Sequence, residues 1–165
     1  MRFACGFLIV NQIYHFLMKT PSPNVARGLL TATRSHAAAV VARLARLGYV
    51  DFPFASASLL WLLDEGGTRS TTLAQRAGVT KQAMSQQVKQ MERRGYLEQV
   101  PDLSDTRAKV VRMTPRGQSV KAACAEVREE LNQAIAKLLG ERKAREMEAY
   151  LDAATKTFAD IAGES

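Results

Sequence analysis

The sequence predicts a mainly α-helical fold with a small β-hairpin, in which a basic middle unit lies between two helical ends. Three observations predict it. Apolar residues recur at helical spacing over most of the chain. The period turns strand-like in one region, residues 96–113. The charge is segmental: residues 1–65 carry six basic and three acidic side chains, residues 66–117 ten and four, and residues 118–165 seven and nine, so +3, +6 and −2 make up the net +7. A basic stretch beside a nearly neutral end fits a polyanion-binding unit joined to an association unit.

Composition narrows the classes. A length of 165 residues suits one domain, or one domain with a dimerisation extension. At 47% apolar and 24% charged, the chain can build a core and is not a disordered polymer. Two cysteines, Cys5 and Cys124, cannot make a disulfide scaffold and point to a reducing compartment, the cytoplasm. His15 and His36 have no metal-ligand spacing, so no metal and no cofactor are expected. There is no glycine-rich phosphate loop, no G-x-S-x-G and no H-E-x-x-H, which argues against an enzyme.

Residues 1–23 form an uncertain segment. Phe3–Val10 and Ile13–Met18 are apolar, but the interruption at Asn11-Gln12 leaves them too short for a spanning helix, which needs about 20 residues. No signal-peptide cleavage pattern follows. The segment reads as an arm packed on a partner chain, or as a start assigned too early, with Met18 beginning the native product.

Residues 24–50 predict a dimerisation helix, Asn24–Leu47, with a break near Thr31–Thr33 and a stop at Gly48. Residues 51–117 predict the basic unit. Pro53 opens a helix through Leu63 whose run Leu59–Leu63 is apolar all round and expected to be buried on every side. Gly66-Gly67 ends it. Ser70 or Thr71 caps a short helix, Gly78 makes a tight turn, and Thr80 caps a second helix over Lys81–Arg94. There Met84, Val88 and Met91 make one apolar face, while Lys81, Gln82, Ser85, Gln86 and Lys89 make the opposite one. Strands at 96–100 and 108–113 flank a polar tip, Pro101–Thr106. Residues 118–165 carry association helices: one from Pro115 to Leu139 with the seam Val120, Cys124, Val127, Leu131, Ile135 and Leu138, and one with Met147, Leu151, Ala154, Phe158 and Ile161 stepping by 4, 3, 4, 3. Nothing else in the chain is available to cover both seams, which implies a partner subunit.

The order helix, turn, helix, hairpin over residues 70–113 specifies a winged helix-turn-helix. A helix enters the major groove of B-DNA, and its exposed face must offer donors and acceptors. Here that face holds glutamines, a serine and lysines, with no carboxylate before Glu92. Glutamine can bond adenine bidentately, lysine can reach guanine or phosphate, and the helix N-terminus favours a phosphate oxygen. Arg107, Lys109 and Arg112 place three positive charges on the hairpin, where an arginine can enter the minor groove. Taken singly, such a polar face or basic tip is usually only solvated; their order on one short segment is what points to double-stranded DNA.

These residues resemble the MarR family of bacterial transcriptional regulators. The stretch Leu73–Ser85 is similar to its helix-turn-helix, Met91–Leu97 to the end of its recognition helix, and Asp105-Thr106-Arg107 with Val110–Gly117 to its wing and the helix after it. The resemblance covers about residues 27–162 and is strong through 70–117. It implies an obligate homodimer with interleaved N- and C-terminal helices on a pseudo-palindromic operator. Lys81–Arg94 would be the recognition helix, and residues 98–112 the wing. It implies that Asp105 helps hold the wing and Arg107 contacts the minor groove, so the DNA-binding set is Thr80, Lys81, Gln82, Ser85, Gln86, Lys89, Asp105, Arg107, Lys109 and Arg112. Gln86, Gln99 and Thr106 depart from the family, which often carries arginine there. The resemblance further implies a repressor in the cytoplasm, on the nucleoid, released by a small aromatic or lipophilic effector. His36, Arg46, Phe52, Phe54 and Trp61 are candidate lining residues, although each alone reads more simply as packing or surface. Two alternatives stay open: a thiol-based redox-sensing regulator of the same fold, for which Cys124 reads rather as a buried structural thiol, and a winged-helix protein-interaction module without DNA binding.

Overall fold

The computed structural model describes residues 24–102 and 105–163, apart from the Thr106 side chain. The expectations for residues 1–23, with Cys5, His15 and Met18, and for the tip residues Leu103 and Ser104, lie outside the described residues. The chain divides into two compact units, one ending at Phe54 and the other beginning at Ala55.

The first unit contains helix α1, Val25–Arg46. Asn24 caps it, its side-chain oxygen accepting from the amides of Ala26 at 2.9 Å and Arg27 at 3.4 Å. Arg43 and Arg46 in the last turn complement the helix dipole. The expected break at Thr31–Thr33 is absent. Each threonine costs only about 0.7 kcal/mol of helix propensity or less, and the alanine-rich flanks carry the helix through.

A 3-10 turn at Phe54–Ser56 leads to α2, Leu59–Leu62, in the second unit. The helix is a single turn, shorter than the apolar run predicted. Leu59, Leu60 and Leu63 are buried, but Trp61 is 46% exposed, which corrects the expectation of burial on every side. Four residues at helical steps point around the full circle, so one faces outward.

Strand β1 is only Thr68–Arg69, an element that the sequence pattern does not predict. It runs directly into α3, Ser70–Arg76, so neither Ser70 nor Thr71 is the cap. Arg69 occupies that position in an extended conformation and makes no side-chain cap bond. After α3 the turn closes through Gly78, at φ +61°, and α4 follows at Lys81–Arg93. The Thr80 hydroxyl accepts from the Ala83 amide at 3.1 Å, as predicted. Met84, Val88 and Met91 are all buried.

Strands β2, Leu97–Asp102, and β3, Asp105–Met113, are longer than expected and leave a shorter tip. The sheet is antiparallel in the order β1-β3-β2. Arg69 lies opposite Val110, Glu98 opposite Arg112, and Asp102 opposite Asp105, with an irregularity between Pro101 and Asp102. Helix α5, Pro115–Leu139, has the predicted bounds, and α6 covers Glu141–Ala162. The predicted seam on α5 is buried only in its first half. Val120, Cys124 and Val127 are inside, whereas Ile135 is 38% and Leu138 78% exposed. On α6 no residue is buried.

Candidate nucleic-acid interface

All ten predicted DNA-facing residues are exposed. On α4 the division is set by helical geometry: Met84, Val88 and Met91 anchor one face in the core, which turns Lys81, Gln82, Ser85, Gln86 and Lys89 to solvent. Glu92, the first carboxylate of the helix, is half-buried and already engaged. Its Oε2 accepts from the Gln99 side-chain amide at 3.0 Å. Gln99 thus joins the end of α4 to β2.

The wing cations are not equivalent. Arg112 donates through Nε to Glu98 at 2.7 Å, its direct cross-strand neighbour, so part of its charge is already matched. Among the described residues no carboxylate engages the side chain of Arg107 or Lys109. Asp105 holds the start of β3 by accepting from the Arg107 amide at 3.1 Å.

Sequence reasoning missed Arg69. Its Nε donates to Asp102 at 2.8 Å, and its Nη2 lies 2.6 Å from the same oxygen and 3.7 Å from Asp105. The bond to Asp102 raises the already high pKa of the guanidinium, so the charge is permanent. The two partners stand 33 positions apart, and no local pattern marks them.

A second cluster fixes the base of the unit. The Arg76 guanidinium donates to the Leu62 carbonyl at 2.6 Å and to Asp64 at 3.0 Å. Buried Thr68 donates to the other Asp64 oxygen at 3.0 Å and accepts from the Asp64 amide at 2.9 Å. The bonds from Arg76 and then Thr68 hold the Asp64 carboxyl below its ordinary value. At the other end, the Thr114 hydroxyl donates to the Gly95 carbonyl at 2.6 Å and accepts from the Gly117 amide at 3.1 Å, which ties the end of α4 to the start of α5. Arg116 reinforces this joint, lying 4.5 Å over the Tyr96 ring and donating to the Arg94 carbonyl at 2.7 Å.

Of the effector candidates, His36, Arg46 and Trp61 are exposed, Phe54 is half-buried and Phe52 is buried. A cavity of about 400 Å3 lies between α5 and α6, with Ile135, Met147, Leu151, Arg145 and Glu148 among its lining, and none of the five candidates lines it. Cys124 is buried, and burial pushes its thiol pKa up, the opposite of what a reactive thiolate needs. Among the described residues no group of three or more His, Cys, Asp or Glu side chains could hold a metal ion, and no helix is long and apolar enough to cross a membrane.

Residues 51–108 match the family model described as "MarR family". No curated protein matches the chain. Among solved structures it is similar to S. aureus MepR bound to DNA, at TM-score 0.66 and 18% identity over 82% of this chain and 99% of the other. It is also similar to wild-type MarR from E. coli in its apo form, at TM-score 0.59 and 18% identity over 81% and 98%. The transcriptional regulator Tm0710 from Thermotoga maritima is 27% identical over 85% of this chain and 96% of its own, with TM-score 0.54.

Proposed function

We propose that this chain is a MarR-family regulator, a sequence-specific double-stranded-DNA-binding repressor acting as a homodimer, a reading supported by the match of residues 51–108 to the family model. One observation carries the reading: an exposed face of lysine, glutamine and serine on α4 stands in the same unit as a hairpin presenting Arg107 and Lys109, which have no carboxylate partner among the described residues. Helix α4 reads base edges in the major groove, the Thr80-capped helix start meets a phosphate, and Arg107 enters the minor groove. The likeness to a MepR–DNA complex supports this docking.

The homodimer rests on α6. Met147, Leu151, Phe158 and Ile161 are 37–80% exposed; fully burying an exposed side chain of this kind is worth about 1.5–3 kcal/mol, and each gains in proportion to the surface it still exposes. A two-fold partner covering this seam and the exposed end of α5 presents two α4 helices to half-sites about 34 Å apart. A small aromatic or lipophilic effector that favours a different spacing releases the DNA. The thiol-switch alternative is less favoured, because Cys124 is buried and its pKa is raised. A protein-interaction module without DNA binding would more naturally carry acidic or apolar groups where Lys81 and Lys89 stand.

The test is binding to random duplex DNA across a salt series. Affinity should fall by orders of magnitude between about 50 and 200 mM salt if several phosphates are contacted. Affinity that is flat with salt refutes the reading. Selecting bound fragments from genomic DNA then gives the operator.

A further inference from the structure

The hairpin tip contains an electrostatic conflict. Asp102 ends β2 and Asp105 begins β3, and the two are direct cross-strand partners. Like charges in that position repel and favour splayed strands. The ladder is already irregular there, its register shifting between Pro101 and Asp102. Arg69 resolves the conflict. It reaches over from β1, bonds Asp102 at 2.6–2.8 Å and lies 3.7 Å from Asp105. Asp102, only 13% exposed at its side chain, gives the guanidinium a fixed seat. The other oxygen of Asp105 accepts from the Arg107 amide. A continuous path therefore runs from the residue before α3, through both carboxylates, to the backbone of the wing arginine.

We propose that Arg69 is a positioning residue that bridges Asp102 and Asp105, closes the hairpin tip and so sets the place from which Arg107 reaches the minor groove. Because Arg69 is also the residue that opens α3, the bridge ties the wing to the helix-turn-helix. The proposal rests on the DNA-binding reading and deepens it.

The experiment uses the full chain and two probes: an A·T-rich duplex, and the same duplex with 2,6-diaminopurine in place of adenine. The substitution adds an amino group in the minor groove and leaves the major-groove edge nearly unchanged. R69A should weaken binding to the A·T-rich duplex on the order of tenfold and reduce discrimination between the probes. R69A/R107A should be no weaker than R107A, since Arg69 acts through Arg107. In the DNA-free protein, amide hydrogen exchange at Arg107 should quicken in R69A while the α4 amides stay protected. Additive losses in the double variant, or unchanged exchange at Arg107, overturn the proposal. A wild-type chain that binds neither probe overturns the DNA-binding reading and the role of Arg107 in it; the exchange measurement then still decides whether Arg69 holds the wing.

Discussion

Gly117 lies in the first turn of α5, where replacement by alanine would ordinarily help. In an exposed helix interior the change gains about 1 kcal/mol. Here the outcome should have the opposite sign. A Cβ at Gly117 would press into the Tyr96 carbonyl oxygen well inside 3.0 Å, with the Tyr96 carbonyl carbon at 3.1 Å and the Met113 Cβ at 3.3 Å. The obstacle is mainly backbone, at the end of the tight turn after α4, so it cannot swing aside as a side chain would. Relief means lifting α5 off that turn. Lifting breaks the Thr114 cap on the Gly117 amide, worth about 0.5–2 kcal/mol. It also stretches the bond from the Thr114 amide to the Tyr96 carbonyl, now 3.1 Å, worth about 1 kcal/mol. Strain from overpacking adds about 1–3 kcal/mol. Against the propensity gain of about 1 kcal/mol, the net loss for Gly117→Ala is about 1.5–5 kcal/mol. The assay is urea unfolding followed by circular dichroism at fixed protomer concentration, since dimerisation would make stability concentration-dependent. The control is Gly28→Ala in α1, where nothing lies within 4 Å of the added carbon. It should be neutral or stabilising by up to about 1 kcal/mol. If Gly117→Ala unfolds at the same or a higher urea concentration than wild type, the close approach and the reasoning from it are wrong.

Further outcomes are expected. Phe158→Glu places a charge in the α6 seam, so sedimentation should show a shift from dimer to monomer; an unchanged dimer would place the interface elsewhere. Arg107→Ala should weaken DNA binding while changing the melting temperature little, because its side chain is exposed, whereas a large thermal loss would mark it as structural. The Asp64 pKa is depressed in the fold, so its contribution to stability is complete above the ordinary carboxylate range and is lost as pH falls through its folded value. Acid titrations of wild type and Asp64→Asn should therefore differ at neutral pH and converge at low pH; a constant difference would contradict the assignment to Arg76 and Thr68. Cys124 should be alkylated slowly in the native protein and quickly in urea, read by peptide mass at that residue, and rapid native labelling would reopen the thiol-switch alternative.

The sequence by itself determined the features with a local period or a local stop. Met84, Val88 and Met91 repeat at helical spacing, so the face of α4 and its polar opposite could be assigned from that repeat alone. Thr80 and Pro115 mark helix starts through chemistry confined to one turn, and those bounds hold. The tertiary structure decided whatever depends on partners far apart in the chain. A two-residue strand has no period, so β1 exists only because β3 is there to receive it. Arg112 looks like a free wing cation until the register sets Glu98 opposite it. Trp61 turns outward because its helix lasts one turn, and Gly117 is required because α5 starts against the Tyr96 carbonyl. Arg69 shows the division most plainly: only the folding of the hairpin brings it to Asp102 and Asp105. Hydrophobic pattern fixes which way each element faces, whereas ion pairs and close contacts between elements follow from the register in which those elements meet.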